Sequence, residues 1–533
     1  MKIPKKKELS ELQKKYRTDK KIGEVYGVPG RLVAYWRSKK NIGSYNLPKY
    51  SREKIMDLWD RFGDDRLAGI ELGISGPGFR RWRLQYGIKH KPAQLKMEQL
   101  ELDFADLPSK TKSSRKETFI RKMLARKSGL KAVEEGETVT VEPDLAIAVD
   151  NAGPAIDQFY NLGNKKVIDQ SKIAVILNHL QIPQLHTLAD EHKKIREFAK
   201  KQNITKFYDI GWGISHQVML DEGLILPGQM AVGTDHYTAV YGCIGVFSTS
   251  IDPQEMAKVW ATGKTQFTTP ETIKVVINGR PGAGVFTSDI IFNLSREINK
   301  YASYNKAFEF YGQAVVNMTA AQRITLTSFA IDAGAKLAII PFDEITQRYL
   351  KKITKAKYKP ITADIDAFYE NEIEFDVSYL TPQVVCYNNY KEIKPVEEMA
   401  GKKIDHVVLG GCTNGRLEDL EIAASILRGR RIHRNTRMFV VPASRKIYLK
   451  AIDKGYISTL IESGCLALHP SHCSCLSANN SMLADGERAL TTSCRKSINS
   501  IKQNYSETYI ASPATVAASA LEGAITDPRK YLL

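Results

Sequence analysis

From Thr118 onward the chain alternates short apolar runs with amphipathic stretches, and glycine turns separate them. "KIAVILNHL" (172–180) and "DHVVLGGCTNG" (405–415) begin as continuous apolar runs of strand length and end in polar loops. Runs of that kind predict strands buried on both faces. "DEHKKIREFAKKQNI" (190–204) spaces its apolar residues three and four apart, which predicts a helix with one buried stripe. Strands alternating with helices predict α/β layers, and in such layers ligands bind beyond the carboxyl ends of the strands.

The first quarter has a different texture and is duplicated. "YRTDKKIGEVYGVPGRLVAYWRSKKNI" (16–42) matches "FGDDRLAGIELGISGPGFRRWRLQYGI" (62–88) at an offset of 46 residues. Asp19/Asp65, Gly23/Gly69, Gly27/Gly73, Gly30/Gly76, Trp36/Trp82, Arg37/Arg83 and Ile42/Ile88 are identical. Each copy reads as helix, short helix, glycine turn, helix. The expected third helix turns its tryptophan inward. Arg31, Arg37, Lys39 and Lys40, or Arg80, Arg81 and Arg83, then face out. That pattern resembles a helix-turn-helix whose basic residues neutralise phosphates of DNA or RNA. A small protein-docking module with a solvated basic face is the other reading. Residues 1–90 are expected to form this basic all-α domain, 91–116 a linker, and 117–533 the α/β body.

Charge sharpens the division. Residues 1–131 hold 33 Lys and Arg against 15 Asp and Glu, so the whole net excess of +18 lies there and the remainder is neutral. Seven cysteines, an odd number spread thinly along 533 residues, argue against a secreted disulfide framework. The basic start "MKIPKKKELSELQKKY" lacks the apolar core of a secretory signal. No uncharged apolar run reaches the roughly 18 residues a membrane span needs. A cytoplasmic protein without membrane association is expected.

"PSHCSCL" (470–476) crowds His472, Cys473 and Cys475 together in a chain that otherwise uses cysteine sparsely, which points to metal. Five ordered stretches place that crowding in a family. "GISHQVMLDEGLILPGQMAVGTDHYTAVYGCIG", "WATGKTQFTTPETIKVVI", "GGCTNGRLEDLEIAASILRGR", "VVPASRKIYLKAI" and "IASPATVAASALEGAITDPRKY" together resemble the aconitase superfamily. Within it they are most similar to the large subunits of 3-isopropylmalate isomerase (dehydratase) and homoaconitase. The resemblance runs from about residue 118 to the C-terminus and excludes the repeats.

The resemblance implies a three-domain body around a 4Fe–4S cluster held by three cysteines, with one iron open to substrate. It implies dehydration and rehydration of a hydroxy-di- or tricarboxylic acid, and a separate small subunit carrying the swivelling domain. Cys412 and Asn414 match the first cluster block. Aligning Pro470 and Leu476 puts His472 where the second cysteine belongs, Cys475 on the third, and Cys473 one residue out of step. Either His472 or Cys473 then ligates, or the cluster is lost, or zinc takes Cys412, His472 and Cys475. Cys494 stands where the family has asparagine. It either completes the ligand set or is a small buried side chain.

The acid–base set implied by the resemblance is His179, His216, Asp235, Glu309 and Arg495, with Tyr237 replacing a histidine. Asp235 is expected beside an imidazole, and Glu309 pairs in the family with another histidine. Several positions depart from the family. Asn178 replaces an aspartate beside His179, and Val149 a polar residue beside Asp150. Ser328 replaces an asparagine, and Ser500 an arginine that would grip a carboxylate. Two functions follow from this mixture. One is a working hydro-lyase large subunit. The other is a degenerate iron–sulfur or metabolite sensor that binds nucleic acid through its repeats.

Overall fold

A computed structural model describes residues 4–16, 19–40, 42, 50–62, 68, 72, 76–88, 116–178, 186–301, 305–386, 392–471, 483–493 and 507–532. The chain divides into two compact units, Met1–Ser109 and Lys110–Leu533. The expected linker falls almost wholly outside the described residues.

The first unit is helical: α1 (Lys6–Tyr16), α2 (Asp19–Tyr26), α3 (Gly30–Lys39), α4 (Arg52–Phe62) and α5 (Gly76–Gln85). Gly27, at φ +63°, ends α2, and only three residues separate α2 from α3. That is the spacing of a helix-turn-helix. Trp36 is core as expected, 4% exposed, with Tyr26 packed edge-on at 5.9 Å.

Two of the expected outward arginines are instead structural. Arg37 clamps Asp19 with Nε to Oδ1 at 2.6 Å and Nη2 to Oδ2 at 2.5 Å, and its Nη1 donates to Ile42 O at 3.2 Å. Arg83 is 2% exposed, lies 4.3 Å over the Trp59 ring, and donates from Nη1 to Ile88 O at 2.9 Å. In the first repeat Asp19, Arg37 and Ile42 thus form a clamp that joins the start of the second helix to the end of the third. In the second repeat Arg83 keeps the contact to Ile88, and Asp65 lies outside the described residues. A planar fork suits that clamp better than it suits a solvated face. Arg31, Lys39, Arg80 and Arg81 are exposed, and Lys40 is half-buried.

The second unit opens with α6 (Phe119–Ser128), capped by Thr118 Oγ accepting from Arg121 N. After β1 (Thr138–Val141) comes a five-stranded sheet of β2 (Leu145–Ala148), β3 (Ile173–Ile176), β4 (Lys206–Tyr208), β5 (Met230–Gly233) and β6 (Phe247–Ser250). Its order is β4-β3-β2-β5-β6, all parallel. β7 (Thr265–Thr268) pairs antiparallel with β1. A second parallel sheet holds β8 (Glu271–Asn278), β9 (Lys306–Tyr311), β10 (Leu337–Ile339) and β11 (Asn371–Asp376) in the order β10-β9-β8-β11.

The third sheet has seven strands: β12 (Gln383–Cys386), β13 (Ile393–Pro395), β14 (His406–Gly410), β15 (Arg437–Val441), β16 (Leu466–Ala467), β17 (Arg488–Thr491) and β18 (Glu507–Ala511). The order is β13-β12-β18-β17-β14-β15-β16, parallel from β18 to β16. Three α/β sheets match the expected body, and every strand of β2, β3, β5 and β14 is fully buried, as their continuous apolar runs require. α6 packs Phe119, Ile120, Met123 and Leu124 against residues of the first two sheets.

Candidate active site

The third sheet brings Cys412 and the approaches to two other candidate segments to the same end of its strands. β14, β16 and β17 run parallel, so the chain leaves all three at the same end. β14 leads into Cys412, which is fully buried. β16 leads to Ser471, the last described residue before His472, and β17 to Ser493, the last before Cys494. The loops after β14 and β17 are stitched together. Thr413 Oγ1 donates to Thr492 O at 2.7 Å, and Ser493 Oγ donates to Gly410 O at 2.9 Å. His472, Cys473, Cys475, Cys494, Arg495 and Ser500 themselves lie outside the described residues, as does His179.

Arg416, which the sequence did not single out, braces the cysteine loop from inside. It is 3% exposed and donates from Nη1 to Thr413 O at 2.7 Å and to Thr325 Oγ1 at 2.9 Å. Asn414 is 2% exposed and donates to Asp419 Oδ1 at 3.3 Å, while its own Oδ1 has no partner among the described residues. Asp419 also accepts from Arg416 N at the start of the helix Leu417–Leu427, fixing the turn.

The first sheet supplies the imidazole. Helix α7 (His186–Lys201) flanks it, and α8 (Ser215–Asp221) follows β4. The segment before α8 is docked on the loop after β15: Ile214 N donates to Ala443 O and Arg445 N to Trp212 O, both at 2.9 Å. That docking sets His216 Nε2 2.8 Å from Cys412 O. Asp235, at the end of β5, is 6% exposed and accepts from Ser215 Oγ at 3.2 Å and Tyr237 N at 3.1 Å. The carboxylate thus sits next to the residue preceding His216. The His216 and Tyr237 rings are 5.6 Å apart.

Tyr237 reveals a carboxylate the sequence reading passed over. Its hydroxyl donates to Asp332 Oδ1 at 3.0 Å and approaches Oδ2 at 3.2 Å. His236 Nε2 is 4.0 Å from the same Oδ1. Asp332 ends α9 (Ala320–Asp332), and its side chain is 1% exposed. A carboxylate at the negative end of a helix, buried, needs donors. That misfit was the available signal, four residues past Ser328 on the same face.

Glu309 does not pair with a histidine among the described residues, contrary to expectation. Its Oε2 accepts from Tyr311 and Tyr369 hydroxyls, both at 2.8 Å. Burial raises its pKa, while those phenols and the Phe119 and Ile120 backbone at the start of α6 oppose the rise. Glu309 Oε1 has no hydrogen-bond partner among the described residues. Asp150 accepts from Asn178 N at 3.0 Å on both oxygens and lies 3.5 Å from His192 Nε2 on α7. His192, 1% exposed, is a second imidazole–carboxylate pair that the sequence reading missed.

Among the described residues no group of three His, Cys, Asp or Glu side chains is placed to hold a metal. The described donor set nevertheless suits an iron–sulfur centre in part. Cys412 is a buried thiol at a strand's carboxyl end, and the chain approaching positions 472 and 494 shares that end of the sheet. No helix is long and apolar enough to cross a membrane among the described residues.

Sheets whose strand ends bring together a buried cysteine and an imidazole, with two buried carboxylates on the neighbouring tyrosine, define an α/β enzyme body. That body places the chain in the aconitase family, whose model (aconitate hydratase) matches residues 131–391 and 385–523. The chain is 40% identical over 416 residues to 3-isopropylmalate dehydratase large subunit 1 of Methanopyrus kandleri, covering 78% of this chain and 99% of that one. A probable 3-isopropylmalate dehydratase large subunit of Methanothermobacter thermautotrophicus is 38% identical over 412 residues, 77% of this chain and 98% of the relative. The large subunit from Caldanaerobacter subterraneus is 38% identical over 415 residues, 78% and 99%. The body is that of a hydro-lyase.

Proposed function

We propose that this chain is the large subunit of a hydro-lyase acting on a small hydroxy-dicarboxylic acid of the isopropylmalate class, completed by a separate small subunit. The reading rests on one contact above others: His216 Nε2 at 2.8 Å from the backbone of Cys412, inside a family-matched body. Cys412, with Cys475 and either Cys473 or His472, would hold an iron–sulfur cluster, which supplies a Lewis acid for the substrate hydroxyl. Cys494 fits as a further ligand or as a packed thiol. Zinc is the lesser alternative.

The protein's own groups have separable tasks. Asp235 and Ser215 fix the segment that carries His216, so the ring meets Cys412 in one orientation. The phenol of Tyr237, donating to Asp332, presents a fixed ring beside His216. It is a poor general acid near neutral pH because its ordinary pKa is about 10. That leaves proton movement to the imidazoles, His216 and His179, and carboxylate binding to Arg495. We also assign the basic N-terminal unit, which precedes the residues matched by the family model, to nucleic-acid binding.

Anaerobically reconstituted protein is expected to absorb broadly near about 400 nm and to hold iron and sulfide. Cys412→Ser should remove the band and the iron. With a small subunit added, dehydration of a malate-type acid is expected. An intact cluster without turnover on any such acid would instead identify a sensor.

A further inference from the structure

Acidic residues occur on three of the five described helices of the duplicated unit, alongside basic ones. α1 carries Glu8 and Glu11, α2 carries Asp19 and Glu24, and α4 carries Glu53, Asp57 and Asp60. α3 (GRLVAYWRSK) and α5 (GPGFRRWRLQ) contain no acidic residue. Their buried positions are Val33, Trp36, Phe79 and Arg83, and Arg37 is spent on the Asp19 clamp. The cations left to solvent on α3 are Arg31 and Lys39, spaced eight apart with Tyr35 midway, so all three share one face. Tyr35 is 51% exposed and Leu32 36%, and the Lys39 ammonium lies 5.4 Å from the Tyr35 ring. On α5, Arg81 stands at the repeat position of Tyr35 and is exposed.

We infer that the face Arg31–Tyr35–Lys39 of α3, with Arg81 of α5, docks on double-stranded B-form DNA, α3 entering the major groove. The inference rests on the nucleic-acid reading of this unit and narrows it to one face and one duplex. Three features carry it. The turn between α2 and α3 has three residues, as a groove-binding helix pair requires. The presented face has one sign of charge, complementary to phosphate. It also offers an aromatic ring and an aliphatic side chain, which can contact base edges and thymine methyls. An A-form RNA duplex has a major groove too deep and narrow for a helix.

The test is fluorescence anisotropy of the full chain with a labelled duplex of about 30 base pairs, from about 50 to 300 mM KCl. Duplex RNA and polyglutamate serve as competitors. The parent is expected to bind DNA with affinity that falls steeply with salt. Arg31→Ala/Lys39→Ala should weaken binding at least about tenfold and flatten the log–log salt slope by about 2. Its circular dichroism melt should match the parent. DNA binding left unchanged by this pair overturns the assigned face while sparing the nucleic-acid reading. Equal competition by duplex RNA overturns groove entry, and equal competition by polyglutamate marks an acidic-protein dock instead. No binding of the parent to DNA or RNA overturns the parent reading together with the inference.

Discussion

The same dipeptide, Trp-Arg, does two jobs at the residue scale in the repeats. Trp36 fills the small core, and Arg37 closes it by holding Asp19 at the far end of the helix pair. Both oxygens of Asp19 and two nitrogens of Arg37 are used, so charge alone does not satisfy the contact. Arg37→Lys keeps the charge and loses the fork. We expect it to destabilise the N-terminal unit by about 1–3 kcal/mol, read as an earlier helical melt. The DNA salt slope of the protein that remains folded should not change. A lost slope with an unmoved melt would return Arg37 to the phosphate-binding surface.

At the element scale the decisive device is the docking of the segment before α8 on the loop after β15. Gly213 sits at φ +122°, where side chains are strained, and a Cβ there would lie 2.5 Å from Ala443 O. Gly211 sits at φ +91° with nothing within 4 Å of its Cβ position. Each alanine substitution carries conformational strain of order 1–3 kcal/mol. Only Gly213→Ala also pushes the segment off Ala443, and with it His216 off Cys412. Gly213→Ala should therefore abolish turnover, while Gly211→Ala lowers the melting midpoint and retains activity. Equal activities in the two variants would show that the docking does not position His216.

These elements also show what the sequence could and could not convey. Continuous apolar runs announced β3 and β14 because strands buried on both faces need them. The loop carrying Cys412 was legible because a glycine pair follows such a run. Partners across the fold were not legible. Asp19 and Arg37 stood out as repeated identities, yet nothing local said that they bond each other. Glu309 was chosen for its surroundings in the family blocks. The carboxylate that meets Tyr237 is Asp332, brought there by the end of α9 from 95 residues away.

For the whole molecule, one contribution to stability that acid removes comes from a group at the start of β14. His406 is 1% exposed and stacks on Phe439 at 4.7 Å, and neither ring nitrogen has a partner among the described residues. Burial, aided by Arg437 on β15 and opposed by Glu487, lowers its pKa from 6.5 to about 4. The unfolded chain takes up that proton near pH 6.5 and the folded one only near pH 4. The contribution is thus fully present above pH 6.5 and is lost as pH falls through that window, up to about 3 kcal/mol. His406→Leu keeps an apolar side chain against Phe439 and has no proton to bind. Its melting midpoint should fall less than the parent's between about pH 6.5 and 4.5, with the two differing least near neutrality. Parallel pH profiles would mean that the imidazole takes up its proton at the same pH in the folded and the unfolded chain.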